Sequence, residues 1–284
     1  MNYRHAYHAG NFADVVKHAV LVRIVEYLKR KEKAFRVIDT HAGVGLYDLS
    51  AEEAQKTGEW RDGIGRLMAR PLAGEAANLL KPLLDAVRAV NEAQINSVSV
   101  YPGSPLIVRR LLRKQDRLTA IELHPGDFQS LRENFGGDHL VRVIELDGWL
   151  ALGAHLPPKE HRGLVLVDPP FEKEGEFERM VARLQKAHRR WPAGIYAFWY
   201  PIKDRKEVER FRHMLVETAI PDILDVGLTI RAASPEMRLD GSGMIIVNPP
   251  YVLKEELRIL LPALAKALGE EGKGSFFIEQ LTSE

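Results

Sequence analysis

Near the middle of the chain, Asp168-Pro169-Pro170-Phe171 combines residue types that can handle an amine. The carboxylate can accept a hydrogen bond from an exocyclic N–H, and the carbonyl of Pro169, which has no N–H of its own to satisfy, can accept a second. Phe171 can stack on the ring that carries the amine. Earlier in the chain, Asp39-Thr40-His41-Ala42-Gly43-Val44-Gly45 follows an apolar run, and its glycines allow positive φ and a close approach of backbone to a ligand. Glu122 and Asp147 end two further apolar runs. A carboxylate after the second run suits a pair of ribose hydroxyls, and one after the third suits an adenine amino group. Asp168, after the fourth, is left for the substrate. Each acid alone reads equally well as a turn or helix cap. Four successive apolar runs ending in a Gly turn, Glu122, Asp147 and Asp168 are harder to read that way.

These residues require strands to hold them. Gly163-Leu164-Val165-Leu166-Val167 is apolar throughout and is stopped by the Pro-Pro pair, the mark of a short buried parallel strand. In open α/β sheets, ligands bind at the carboxyl edge where such a strand ends. Further strands are expected at 35–39, 118–124, 141–146, 195–201, 223–230 and 243–248, with helices at 128–134, 176–190 and 208–217 between them. A brief extended piece is expected at 98–101. This alternation predicts a Rossmann-like, seven-stranded, mostly parallel, doubly wound sheet. Asn11 opens a helix with a broad apolar face, and Lys254 to Leu268 forms a last amphipathic helix. Ser104 is the expected N-cap of a helix running to about Lys114. Ser275 to Ile278 reads as an edge strand or a loose end. From 50 to 97 the pattern is helical only, which divides the chain into a sheet domain of residues 1–49 and 98–284 and an inserted helical subdomain of residues 50–97.

Composition narrows the chemistry. The chain has 284 residues, 45% hydrophobic and 28% charged, the balance of an ordinary globular protein. It has no cysteine, which excludes disulfides, thiolate metal sites and Cys nucleophiles. His5, His8 and His18 lack the spaced partners of a metal site, so no metal is expected. No run approaches the ~20 apolar residues of a membrane span and no signal-peptide pattern opens the chain, so a cytoplasmic protein is expected. The net charge of +1 gives no global pull on nucleic acid. Any such contact must use local cations, for which Arg4, the run Arg109, Arg110, Arg113 and Lys114, and the group Lys203, Arg205 and Lys206 are candidates.

The order of strand-end residues resembles that of class I S-adenosylmethionine-dependent methyltransferases, and the Asp-Pro-Pro-aromatic tetrad is similar to that of members acting on exocyclic amines. Asn248-Pro249-Pro250-Tyr251 matches the same pattern but closes the seventh strand; strand order favours Asp168 and leaves Asn248 as a turn. Further motifs sharpen the resemblance. They are Tyr3-Arg4-His5, His8-Ala9-Gly10-Asn11, Asp14-Val15, Lys17-His18, Asp39-Thr40-His41-Ala42-Gly43, Tyr101-Pro102-Gly103-Ser104-Pro105, Glu122-Leu123-His124-Pro125 and Trp199-Tyr200-Pro201. In this order, over almost the whole chain, they resemble the RlmJ family of large-subunit ribosomal RNA adenine-N6 methyltransferases. Many members carry Tyr where this chain has Phe171, a change that keeps stacking and loses a hydroxyl.

The resemblance implies that S-adenosylmethionine, with S-adenosylhomocysteine as product, is held by His18, His41, Gly43, Ser104, Glu122, Asp147, Gly148 and Asp168. It implies that Asp168 is the catalytic acceptor and that Pro169, Pro170, Phe171 and Tyr3 face the target adenine. The implied partner is 23S ribosomal RNA, protein-free during ribosome assembly, bound by a monomer. Two alternatives stay open on the residues alone. One is an amine methyltransferase acting on DNA adenine or cytosine or on a protein glutamine; the other is an RNA-binding module that keeps the fold without the activity.

Overall fold

The computed structural model describes residues 4–92, 98–233 and 237–283. The chain opens with helix α1 (Phe12–Lys29), then β1 (Arg36–Asp39), β2 (Leu46–Asp48), α2 (Glu52–Thr57), α3 (Ile64–Ala69) and α4 (Gly74–Val90). Next come β3 (Val100–Pro102), α5 (Ser104–Leu111), β4 (Arg117–Glu122), α6 (Pro125–Asn134), β5 (Val141–Glu145), α7 (Gly148–Ala154), β6 (Gly163–Val167) and α8 (Glu176–Arg190). The last third holds β7 (Ile195–Ile202), α9 (Arg205–Glu217), β8 (Ile223–Thr229), β9 (Gly241–Val247), α10 (Leu253–Leu268) and β10 (Ser275–Thr282).

The main sheet runs in the order β10-β8-β9-β7-β6-β1-β4-β5. Its central strands β7, β6, β1, β4 and β5 are parallel, and β6 is buried at every position, as its unbroken apolar run requires. β9 runs antiparallel between β7 and β8. The sheet has eight strands against the seven expected, because Ser275–Thr282 pairs antiparallel with β8 and forms the edge. The extended piece near Val100 is also placed: β3 pairs with β2, and this small ladder brackets the helical segment. In that segment, Leu79, Leu80, Leu83, Leu84 and Val87 of α4 are buried in the same apolar cluster as α1 and α10. Among the described residues, no helix is long and apolar enough to cross a membrane.

α1 departs from the one-faced helix expected. Every residue from Phe12 to Val25 is buried, so Asp14, Lys17, His18 and Arg23 are enclosed polar groups. Asn11 caps the helix by accepting from the Asp14 N–H at 2.9 Å. Ser104 is not the cap of α5: it is the first helical residue, and its hydroxyl donates to Asp39 Oδ2 at 2.6 Å.

Most of the candidate RNA-binding arginines are already engaged. Arg109 pairs with Asp138, Arg4 with Glu53, and Arg110 donates to the Ala89 carbonyl. Arg113 holds the loop between α1 and β1. It bonds both oxygens of fully buried Asp116 and the carbonyls of Lys29, Lys31 and Lys33, with its guanidinium over Phe35. Lys203, Arg205 and Lys206, past the carboxyl end of β7, are exposed and form no ion pair among the described residues. Arg113→Ala should therefore cost about 2–4 kcal/mol of stability, because it strands a buried carboxylate. Chemical denaturation should show a lower midpoint at unchanged slope, with RNA affinity held.

Candidate active site

The Pro-Pro pair stops β6 at Val167 and leaves Asp168 at the carboxyl end of the sheet, its side chain 14% exposed. There it meets Lys17, which projects from the second turn of α1. The Lys17 ammonium is 3% exposed and donates to Asp14 Oδ1 at 2.7 Å and to Asp168 Oδ2. Burial opposes a charge on Lys17, yet the two carboxylates outweigh it and raise its pKa above the ordinary lysine range. Burial likewise opposes the Asp14 carboxylate, but His5 and Lys17 hold its pKa well below the usual range. Asp14 also accepts from the Gly10 N–H at 2.9 Å and bonds His5 Nε2 at 2.9 Å.

Asp168 and Lys17 form one wall of a cavity of about 540 Å³ that runs along the ends of β1, β4, β5 and β6. Glu122 closes β4. Its Oε1 accepts from the Leu123 and His124 N–H groups, both at 2.8 Å, and its Oε2 from the Gly43 N–H at 2.9 Å. Burial raises its pKa against those three bonds. Asp147 caps α7 through one oxygen, accepting from the Trp149 N–H at 2.8 Å. Gly148 must be glycine, since a Cβ there would lie 2.2 Å from the Thr40 carbonyl oxygen and 2.8 Å from His41. Gly43 takes φ +61° in the turn after β1.

His18 bonds the Tyr101 hydroxyl through Nδ1 at 2.7 Å, leaving Nε2 buried without a partner at the cavity. Burial pushes its pKa down to about 3, with Lys17 adding to the effect, and burial pushes His41 down to about 4. Both rings are neutral at pH 7.

The structure thus brings together at one cavity His18, His41, Gly43, Ser104, Glu122, Asp147, Gly148, Asp168, Pro169 and Pro170. It does not bring Phe171 to the lining. That ring packs edge-on against Phe177 and Trp199, with centroids 5.1 and 5.8 Å away, and its backbone takes φ +51°. A bulky residue in that region marks a turn held by its surroundings. Tyr3 lies outside the described residues. Asn248 stands at the other end of the sheet because β9 is antiparallel, and its amide donates to the Pro192 and Gly194 carbonyls, each at 2.7 Å.

Sequence reasoning named Lys17 only within a motif and did not single out Asp14, Asp39 or Glu176. The available signal was a Lys and an Asp three apart inside a helix whose residues from Phe12 to Val25 are otherwise apolar but for His18 and Arg23. Asp39, fully buried, has its Oδ1 without a hydrogen bond, and burial raises its pKa to about 7. Glu176 is buried at the cavity edge with Oε1 likewise unpartnered. Among the described residues, no three His, Cys, Asp or Glu side chains gather as a metal site. His5 is taken up by Asp14, and His8 pairs with Glu59.

Comparison with known proteins agrees over the full length. Residues 32–282 match the family described as ribosomal RNA large subunit methyltransferase D, RlmJ. The chain is 42% identical over 286 residues to ribosomal RNA large subunit methyltransferase J of Haemophilus influenzae, and 40% identical over 285 residues to that of Escherichia coli. In both pairings the whole of each chain is covered. A crystal structure of protein LPL1258 from Legionella pneumophila superposes with a TM-score of 0.87 at 32% identity, covering 96% of this chain and 98% of that one.

The cavity fits a nucleoside-bearing cofactor: His18 lines it with Nε2 unpartnered, Glu122 and Asp147 line it with their carboxylates, and the missing Cβ of Gly148 leaves room beside Thr40 and His41. A carboxylate gripping two ribose hydroxyls contributes ~1.5–3 kcal/mol. Glu122→Ala should therefore weaken S-adenosylmethionine about ten- to a hundred-fold by calorimetry; unchanged affinity would leave Glu122 a mere turn anchor. The buried histidines set a pH dependence. Their folded pKa values lie below the unfolded value of about 6.5, so the stability they contribute is present above pH 6.5. It is lost as pH falls from there towards about 4 for His41 and about 3 for His18. Each ring should contribute roughly 1.4 kcal/mol per pH unit in that window. Denaturation curves from pH 7 to 5 should show His41→Gln with a shallower decline than the unaltered protein.

Proposed function

The chain belongs to the RlmJ family of large-subunit ribosomal RNA methyltransferases, and from that premise we propose that it transfers a methyl group from S-adenosylmethionine to the N6 amine of one adenine in 23S ribosomal RNA. In this reading it acts in the cytoplasm as a monomer, on RNA not yet covered by ribosomal proteins. It works as two units, with the helices of residues 50–97 an insertion into a sheet domain of residues 1–49 and 98–284. The observation that carries the reading is the ion pair of Lys17 with Asp168 beside Pro169, at the mouth of the cavity that holds Glu122 and Asp147.

The cofactor, when bound, supplies a methyl group on a sulfonium, which is already reactive towards an amine. What remains for the protein is to bind, orient and exclude water. Glu122 accepts from the ribose hydroxyls and Asp147 from the adenine amino group of the cofactor. Ser104 and neutral His18 meet the amino-acid end, with Asp39 behind the lining accepting from the Ser104 hydroxyl. An adenine extruded from the RNA stack enters beside Pro169 and Pro170. Its N6 donates one hydrogen to Asp168 and the other to the Pro169 carbonyl, which turns the nitrogen lone pair towards the cavity. Lys17 keeps Asp168 in one orientation, and Asp14 and His5 keep Lys17 in place. With the cofactor bound, formation of the N–C bond would break the S–CH3 bond and leave its electron pair on sulfur, and the acidified amine would pass its proton to the nearest acceptor, Asp168. Phe171, held by Phe177 and Trp199, fixes the turn that presents Asp168, and Tyr3 is assigned to recognition of the adenine.

Asp168→Ala should abolish methyl transfer to deproteinised large-subunit RNA while keeping cofactor affinity within a few-fold. Lys17→Met should lower kcat by about a hundred-fold or more, consistent with the loss of a positioned acceptor. Asn248→Ala should leave kcat unchanged. Transfer of labelled methyl measures all three, with nucleoside digestion to identify the product. Modified DNA or glutamine in place of N6-methyladenosine would overturn the substrate, and an inactive Asn248→Ala beside an active Asp168→Ala would overturn the site.

A further inference from the structure

Away from the cavity, a second concavity of about 500 Å³ lies between α3 and the C-terminal end of α10. Its polar lining is cationic: Arg61, Arg66, Arg70 and Lys266, over a floor that includes Gly65 and Ala69; no acidic side chain lines it. Arg61 rests over the Trp60 ring, and Arg66 pairs with Asp62 and donates to the Leu268 carbonyl at 3.3 Å. Arg70 and Lys266 are exposed and form no ion pair among the described residues. Arg66 lies on α3 and Arg70 is its C-cap, so the two cations follow one another along the same wall of the groove.

The groove opens at the catalytic end of the molecule. α1 begins there, where Lys17 meets Asp168, and ends at the opposite side, where Arg23 and Arg30 both bond Glu256 in the first turn of α10. α10 therefore returns, and Leu268 arrives at the catalytic end. α3 is tied to the same end by the Ile64 N–H, which donates to the Gly10 carbonyl at 2.9 Å, next to the segment whose His5 lines the cavity. A second basic basin, with Arg117, Arg142 and Lys159, lies at the amino ends of β1, β4 and β5 and faces away. A strand running directly from the cavity along the catalytic end does not cross it.

We infer that the groove between α3 and α10 is a phosphate-docking surface for the RNA strand that flanks the methylated nucleotide. The inference rests on the proposed rRNA methylation and assigns a task to the inserted helices. With Arg70 and Lys266 here and Lys203, Arg205 and Lys206 past the carboxyl end of β7 as the exposed cations without an ion pair among the described residues at this end, the phosphate contacts number only a few. The log–log salt dependence of RNA binding should then be shallow, about −2 to −4 at ~0.7–0.9 per phosphate.

The test compares the unaltered protein with the double variants Arg70→Glu/Lys266→Glu and Arg142→Glu/Lys159→Glu, using deproteinised large-subunit RNA as the probe. The groove variant should bind RNA at least about ten-fold more weakly at low salt and lose about one to two units of salt slope. Its KM for RNA should rise with kcat kept, and its affinity for S-adenosylmethionine, which reports the fold, should not change. The basin variant should bind RNA like the unaltered protein. Unchanged RNA affinity and slope in the groove variant would overturn the assignment, as would a loss confined to the basin variant. Failure of the unaltered protein to methylate the RNA would overturn the rRNA reading as well, and is told apart because it needs no variant to appear.

Discussion

The arrangement at the catalytic end depends on one enclosed charge. An ammonium buried as deeply as Lys17 loses hydration worth several kcal/mol, and only well-placed acceptors can offset that. Asp14 on the same helix and Asp168 on the neighbouring strand are those acceptors. The ion triad ties α1 to the end of β6 more specifically than apolar packing could, since a shift of either element would strand a charge. The tie extends outwards. Asp14 takes His5 and the Gly10 N–H, Asn11 caps α1 and reaches Glu59 at 2.9 Å, and Glu59 also takes His8. Through these bonds the N-terminal segment and the helices that follow β2 are set relative to Asp168, which makes a stretch remote in sequence a neighbour of the cavity.

Two tetrads of the same form show how sheet direction converts sequence into role. Asp168-Pro169-Pro170-Phe171 follows a parallel strand and lies at the carboxyl edge. Asn248-Pro249-Pro250-Tyr251 follows an antiparallel one and lies at the opposite end. Their backbones differ as well. Positive φ falls on Phe171 in the first tetrad and on Asn248 in the second, where the amide side chain is spent on two carbonyls.

The parts of the fold that were legible in sequence are those governed by local pattern. The unbroken apolar run of β6, the strand-end acids Glu122 and Asp147, and the alternation with helices are all local properties, and they located most of the cavity. The antiparallel pairing of β10 was not legible, because an edge strand with one exposed face has a weak pattern and its partner is remote in sequence. Ser104 illustrates a second limit. A Ser before a Pro reads as a cap, but Asp39 lies across the fold and takes the hydroxyl. Lys17 illustrates a third, since a lysine in a helix is ordinarily solvated and only enclosure on all sides makes it a site residue. Arg109 and Arg113 belong to the same case: Asp138 and Asp116, which pair with them, are partners that only the folded chain supplies.

The cavity's electrostatics follow from the same enclosure. A site for a sulfonium that also carries an amino group must avoid accumulating positive charge. Burial holds His18 and His41 neutral, and the Lys17 charge is already matched by two carboxylates. Burial raises the pKa of Asp39, behind the lining, to about 7. With both rings neutral and the ammonium matched, a cation bound in the cavity meets no unmatched positive charge from these three groups.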